Sequence, residues 1–283
     1  MKKKSSPLST ILLILVLILG LSLLLYPTVS DYWNSLTQSR AIASYSDTVA
    51  HLNQEDYSHI WEDAIDYNQS LNRRDNPYAL TDEQQLQYKS MLSISGGGVM
   101  GYVEIPCIDV SLPIYHGTDE SVLQEAVGHL EWTSLPTGGE STHCVISGHR
   151  GLPRAKLFTD LNRVQVGDVF ILRVLDEILT YEVDQILIVE PDQANSLLVE
   201  EGKDLCTLVT CTPYGVNTHR LLVRGHRVEN AKEAITVRVT ADAIEMEPLL
   251  VAVILFPPVL IALLLLIFAG DSALKRRGHR NND

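Results

Sequence analysis

The strongest constraint on this 283-residue chain is a pair of apolar segments near its ends. The first runs from about Leu8 to Tyr26, after the basic start Lys2-Lys3-Lys4. The second runs from about Leu249 to Ala269 and is followed by Lys275, Arg276, Arg277 and Arg280. Each is about as long as a helix must be to cross ~30 Å of hydrocarbon. Inside lipid a backbone has to satisfy its own hydrogen bonds, so two transmembrane helices are expected. Pro257-Pro258 would kink the second and is tolerated in a membrane. The basic flanks lie outside the stretch between the segments. The positive-inside rule therefore predicts cytoplasmic termini and an extracellular middle. A cleaved signal sequence is the other reading of the first segment, but its small residues are scattered and no A-x-A-like cleavage site stands out.

Charge follows the same division. The ends carry seven of the 22 basic residues and two of the 35 acidic ones, so the middle is more acidic than the formal −13 of the whole chain. An acidic ectodomain argues against nucleic acid as a partner. The four cysteines, Cys107, Cys144, Cys206 and Cys211, all lie in the middle and are too sparse for a disulfide framework.

Between the anchors two patterns alternate. From about Gln38 to Leu71, Ile42, Tyr45, Val49, Leu52, Tyr57, Ile60, Trp61, Ala64 and Ile65 fall at helical spacing, which predicts one or two amphipathic helices. Asp75-Asn76-Pro77-Tyr78 breaks that pattern as a loop. Thr81 with Gln84 forms a capping box for a short helix to about Ile94. From Met100 to Val228 come short β-like runs: Tyr102–Ile105, Leu112–Tyr115, Cys144–Ser147, Val169–Leu175, Leu179–Val189, Leu205–Cys211 and Leu221–Val228. Many short strands with turn signals predict a closed barrel or sandwich. The expected organisation is an anchor at 1–29, a helical region at 30–99 with a loop at 73–80, a β domain at 100–230, a linker at 231–247, a second span at 248–270 and a basic tail at 271–283.

The chemistry concentrates in one hairpin. Thr207-Leu-Val-Thr-Cys211 reads as a strand ending in a thiol. A turn with Pro213, Gly215 and Asn217 leads back into a strand that begins at Arg220. A nucleophilic thiol beside a fixed cation suits attack on a carbonyl and stabilisation of the resulting oxyanion. His149, between Gly148 and Gly151 at the end of the run Cys144-Val-Ile, is placed for general acid–base work. His116, His129, His143, His219 and His226 share the β region, and spacing alone does not choose among them. A Cys₂His₂ metal set of His143, His149, Cys206 and Cys211 is disfavoured, because residues five apart on one strand point to opposite faces.

These motifs resemble the sortases, cysteine transpeptidases of the Gram-positive surface. Thr207–Cys211 fits the family signature T-L-x-T-C, with its arginine at Arg220 and its histidine at His149. The resemblance is closest to the pilus-building class C sortases, through Thr210-Cys-Thr-Pro-Tyr-Gly-Val-Asn-Thr-His-Arg220, Gly148-His-Arg-Gly-Leu-Pro153 and Ala155-Lys-Leu-Phe-Thr-Asp-Leu161. Leu112-Pro-Ile-Tyr-His-Gly117 and Thr133-Ser-Leu-Pro136 extend it over roughly residues 100 to 228.

The resemblance implies an eight-stranded sortase barrel flanked by N-terminal helices and a lid. It implies that Cys211 attacks the Thr–Gly carbonyl of an LPxTG-like pilin sorting signal, with Arg220 and His149 assisting and Thr210 near the substrate. A lysine amine of the next pilin would resolve the thioacyl enzyme, without metal or cofactor. The class C lid carries an Asp-Pro-aromatic motif; here Tyr78 matches the aromatic, but Asn76 precedes Pro77 and Asp75 stands one place away. Either the lid is shifted by one residue or its polar contact to the thiol is neutral. Attachment of surface proteins to the cell wall, or a non-enzymatic pilus scaffold, are the rival functions.

Overall fold

The computed structural model describes residues 7–71, 73–74, 76–94, 96–153 and 155–230. The expected linker, second span and basic tail lie outside the described residues. The chain divides into two compact units, Met1–Val29 with Thr240–Asp283, and Ser30–Val239. Of the first, the described part is the start of helix α1, which spans Pro7–Ala50. Among the described residues α1 is the one helix long and apolar enough to cross a membrane. It runs on past residue 29, so the apolar segment and the first amphipathic stretch expected after it are one continuous helix. Pro27 lies inside it. A proline removes one backbone hydrogen bond, and the residues after it hold no glycine or turn cluster to end the helix.

In the second unit, the later part of α1 and helix α2 (Gln54–Leu71) pack on a barrel. Helix α3 (Asp82–Ser90) carries the expected capping box, with Thr81 Oγ1 accepting from the Gln84 amide and the Gln84 side chain accepting from the Thr81 amide. It ends four residues before the predicted Ile94. Leu92 has a positive φ of 52°, a backbone conformation that a helix cannot continue through.

The barrel strands are β1 (Val99–Ile105), β2 (Val110–His116), β3 (Val127–His129), β4 (Thr142–Ser147), β5 (Val169–Val174), β6 (Glu177–Val189), β7 (Asp204–Thr212) and β8 (His219–Arg227). A one-turn helix α4 (Glu120–Leu123) precedes β3. The strands close in the order β1-β2-β3-β4-β7-β8-β6-β5. The β2–β3 and β4–β7 pairs are parallel and the others antiparallel. Closure gives each of these eight strands a neighbour on both sides. The seven predicted runs each fall within a strand or extend one residue past its end. Sequence reading missed β3, whose three residues, one of them a glycine, are too few to show a two-residue period.

Tyr45 ties α1 to the barrel. Its ring is buried, and its hydroxyl donates to the Met100 carbonyl at 3.0 Å and accepts from the Leu175 amide at 2.8 Å. Burial pushes the hydroxyl's pKa up, so it stays protonated and can serve both partners. Tyr45→Phe would leave the Leu175 amide without an acceptor. It should lower stability to denaturant by about 1–3 kcal/mol; an unchanged midpoint would show that water replaces the bond.

Candidate active site

The pairing of β7 with β8 sets Cys211 directly opposite Arg220. Alternation along β7 decides which way each side chain points. Cys206 and Leu208 face the main core, whereas Val209 packs in a second apolar cluster with Val145, Leu197 and Leu222. By the same two-residue period Cys211 shares the face of Val209. It is half-buried, at the end of the strand.

That face floors a cavity of about 630 Å³. Val145 and Ser147 of β4, Val209 of β7 and Arg220 and Leu222 of β8 form the floor. Residues of the connection from Val189 to Leu197 line it as well, together with Tyr78 and Trp132. The interior is mostly apolar, with Arg220 supplying a permanent positive charge. Two of its guanidinium hydrogen bonds go to the Asn217 and His219 carbonyls at 3.2 and 3.1 Å, which orient the group without neutralising it.

His149 follows β4, and its neighbours are fastened on both sides of Cys211. The Gly148 amide donates to the Val209 carbonyl at 3.0 Å, and Thr210 Oγ1 donates to the Gly148 carbonyl at 2.7 Å. Arg150 donates to Thr212 Oγ1 at 3.3 Å and stacks over the Tyr214 ring. The imidazole Nε2 lies 3.5 Å from Glu120 Oε2. Residue 148 has to be glycine because an added Cβ would sit 2.8 Å from the Phe158 ring and 2.9 Å from Val127. Gly151 has φ +79°, and a Cβ there would meet the Tyr214 ring at 2.8 Å.

The structure therefore brings Cys211, Arg220 and His149 to one end of the barrel. Thr210 is buried and serves as the tie to Gly148 rather than facing the cavity. Of the metal set weighed above, His143 faces the Leu198 carbonyl and Thr207, and Cys206 is in the core. Asp75 lies outside the described residues. Asn76 turns its side-chain oxygen back to the Tyr78 amide at 3.0 Å, a local turn that fixes the tyrosine. Tyr78 packs edge-on against Trp132 with ring centroids 5.5 Å apart, and its hydroxyl donates to Asn195 Oδ1 at 2.5 Å. Arg74 anchors the same loop through the Trp132 carbonyl at 2.7 Å. Arg74, Glu120, Trp132 and Asn195 carried no motif that sequence reading could have used.

A thiol and a guanidinium on one rung, beside an imidazole on a tethered loop, suit acyl transfer through a thioester. Comparison with known proteins agrees. The family model described as Sortase domain matches residues 103–228. Sortase D of Bacillus subtilis (strain 168) is 31% identical over 147 residues, covering 51% of this chain and 71% of that protein. Among solved structures, sortase C1 from Streptococcus agalactiae matches with a TM-score of 0.66 at 52% identity, over 68% of this chain and all of that one. Streptococcus pneumoniae sortase C, whose structure was described for its catalysis and pilin substrate specificity, matches with a TM-score of 0.61 at 43% identity, over 68% of this chain and 97% of that one. The chain belongs to the sortase family of cysteine transpeptidases, and to its class C branch.

Proposed function

We propose that this sortase joins pilin subunits outside the cell, anchored by α1 and by the apolar segment near Leu249–Ala269, with both termini cytoplasmic. The observation that carries the reading is the direct pairing of Cys211 with Arg220 at the edge of a largely apolar cavity. The kinship with sortases C, one of them described for pilin substrate specificity, supports the choice of substrate.

In this reading an LPxTG-like sorting signal lies along the cavity. The Cys211 thiolate attacks the threonine carbonyl carbon, and Arg220 holds the oxyanion that forms. The carbon–nitrogen bond to glycine then breaks, and protonated His149 gives its proton to the departing amine. A lysine amine of the next pilin attacks the thioester carbon and passes a proton to His149. The Cys211 thiolate leaves, and an isopeptide bond remains. Water has to lose to the amine at the thioester, which depends on acceptor positioning more than on thiol reactivity. Tyr78, held by Trp132 and Asn195, acts as the lid over the cavity.

Incubating the full chain with a pilin bearing its sorting signal should give covalent multimers that resist boiling in detergent. Replacing the acceptor lysine should abolish them. Transfer to a cell-wall peptide amine, with no pilin multimers, would favour the cell-wall rival.

A further inference from the structure

One stripe of α1 does two jobs. Its later residues Ile42, Tyr45 and Val49 are buried against the barrel. Its earlier residues on the same stripe are polar, and each has its hydrogen bond to a loop rather than to solvent alone. Asp31 Oδ1 accepts from the Lys156 amide at 2.6 Å. Gln38, only 9% exposed, donates through Nε2 to the Glu125 carbonyl at 2.7 Å, and Asn34 donates to the same oxygen at 3.4 Å. Positions 31, 34 and 38 recur at helical spacing, so one rigid rod makes all three contacts.

Both loops lead to His149. Lys156 opens a tight turn in which the Thr159 amide donates to the Lys156 carbonyl at 2.8 Å. From that turn the Phe158 amide donates to the His149 carbonyl at 3.2 Å, and Thr159 Oγ1 accepts from the Gly151 amide at 3.1 Å. Glu125 follows α4, the helix that presents Glu120 to the His149 imidazole. The rod thus holds the backbone of the histidine loop from one side and the carboxylate facing its ring from the other.

We infer that Asp31 and Gln38 are positioning residues that fix the His149 imidazole for proton transfer to the departing amine. The inference rests on the reading of His149 as the general acid. A helix is suited to this task because its residues cannot move independently, and a displacement of about 1 Å at a reacting group can cost on the order of 100-fold in rate. Asp31 contributes only an acceptor oxygen and Gln38 only a donor, so the variants separate geometry from charge.

The test uses the full chain in detergent and a sorting-signal peptide, following Cys211 acylation and, on ¹³C-histidine-labelled protein, the His149 ring signal. Asp31→Ala and Gln38→Ala should each lower kcat for acylation about tenfold with KM changed less than twofold, and should broaden or shift the His149 signal. Asp31→Asn, which keeps the acceptor oxygen, should restore both readouts to within about twofold, whereas Gln38→Glu, which loses the donor, should not. Unchanged kcat and ring signal in both alanine variants, with His149→Ala inactive, would overturn the inference alone. Acylation at the normal rate in His149→Ala would overturn the reading on which it rests. If acylation is too slow to measure in every arm, the ring signal decides: an unmoved signal in the alanine variants counts against the inference.

Discussion

Arg220→Ala should slow acylation of Cys211 by a sorting-signal peptide about 10²- to 10³-fold, the size of effect seen when one preorganised oxyanion donor is removed. The loss should fall on kcat, because the developing oxyanion exists only in the transition state. Arg220→Lys should recover only part of it. The Asn217 and His219 carbonyls hold one guanidinium nitrogen, and an ammonium on a flexible stem lacks the other donors of the planar group. Stopped reactions analysed by intact mass would give the rates. An Arg220→Ala enzyme within about threefold of the parent would remove Arg220 from the chemistry.

Tyr78→Ala should act in the opposite direction. Tyr78 is 39% exposed, yet it closes one side of the cavity through its ring contact with Trp132 and its hydrogen bond to Asn195. Removing it should raise peptide acylation about tenfold, chiefly through KM. A small thiol reagent should gain less than the peptide does, because Cys211 stands at the strand end rather than among the cavity's lining residues. Tyr78→Phe should lie between, since it keeps the Trp132 contact and loses only the Asn195 bond. Equal rates in all three would mean that the loop does not control access.

The parts of the site legible in the sequence are those set by local pattern. Cys211 and Arg220 end and begin apolar runs across one turn, so strand pairing alone puts them on one rung. His149 stands out through the glycines around it, and the structure gives those glycines a cause in Phe158, Val127 and Tyr214. The capping box at Thr81 was readable for the same reason. What holds the Tyr78 loop was not. Tyr78 and Asn195 are 117 positions apart, and no short-range pattern links them. The departure at Asn76 reads in the sequence as either a shift of one residue or a neutral contact to the thiol; the structure uses that side chain inside its own loop. Asp31 and Gln38 were hidden for another reason. They sit on a helix whose apolar beginning reads as an anchor, and that reading says nothing of what the later turns touch.

The most direct measurement is the intact mass of the full chain after mixing with a cognate LPxTG-like peptide and rapid acid quench. The expected product is a thioacyl adduct of the peptide up to its threonine, located on Cys211 by fragmentation, absent in Cys211→Ala and discharged by hydroxylamine or an added amine. No adduct in either the parent or the Tyr78→Ala enzyme, or an adduct that persists in Cys211→Ala, would contradict this reading.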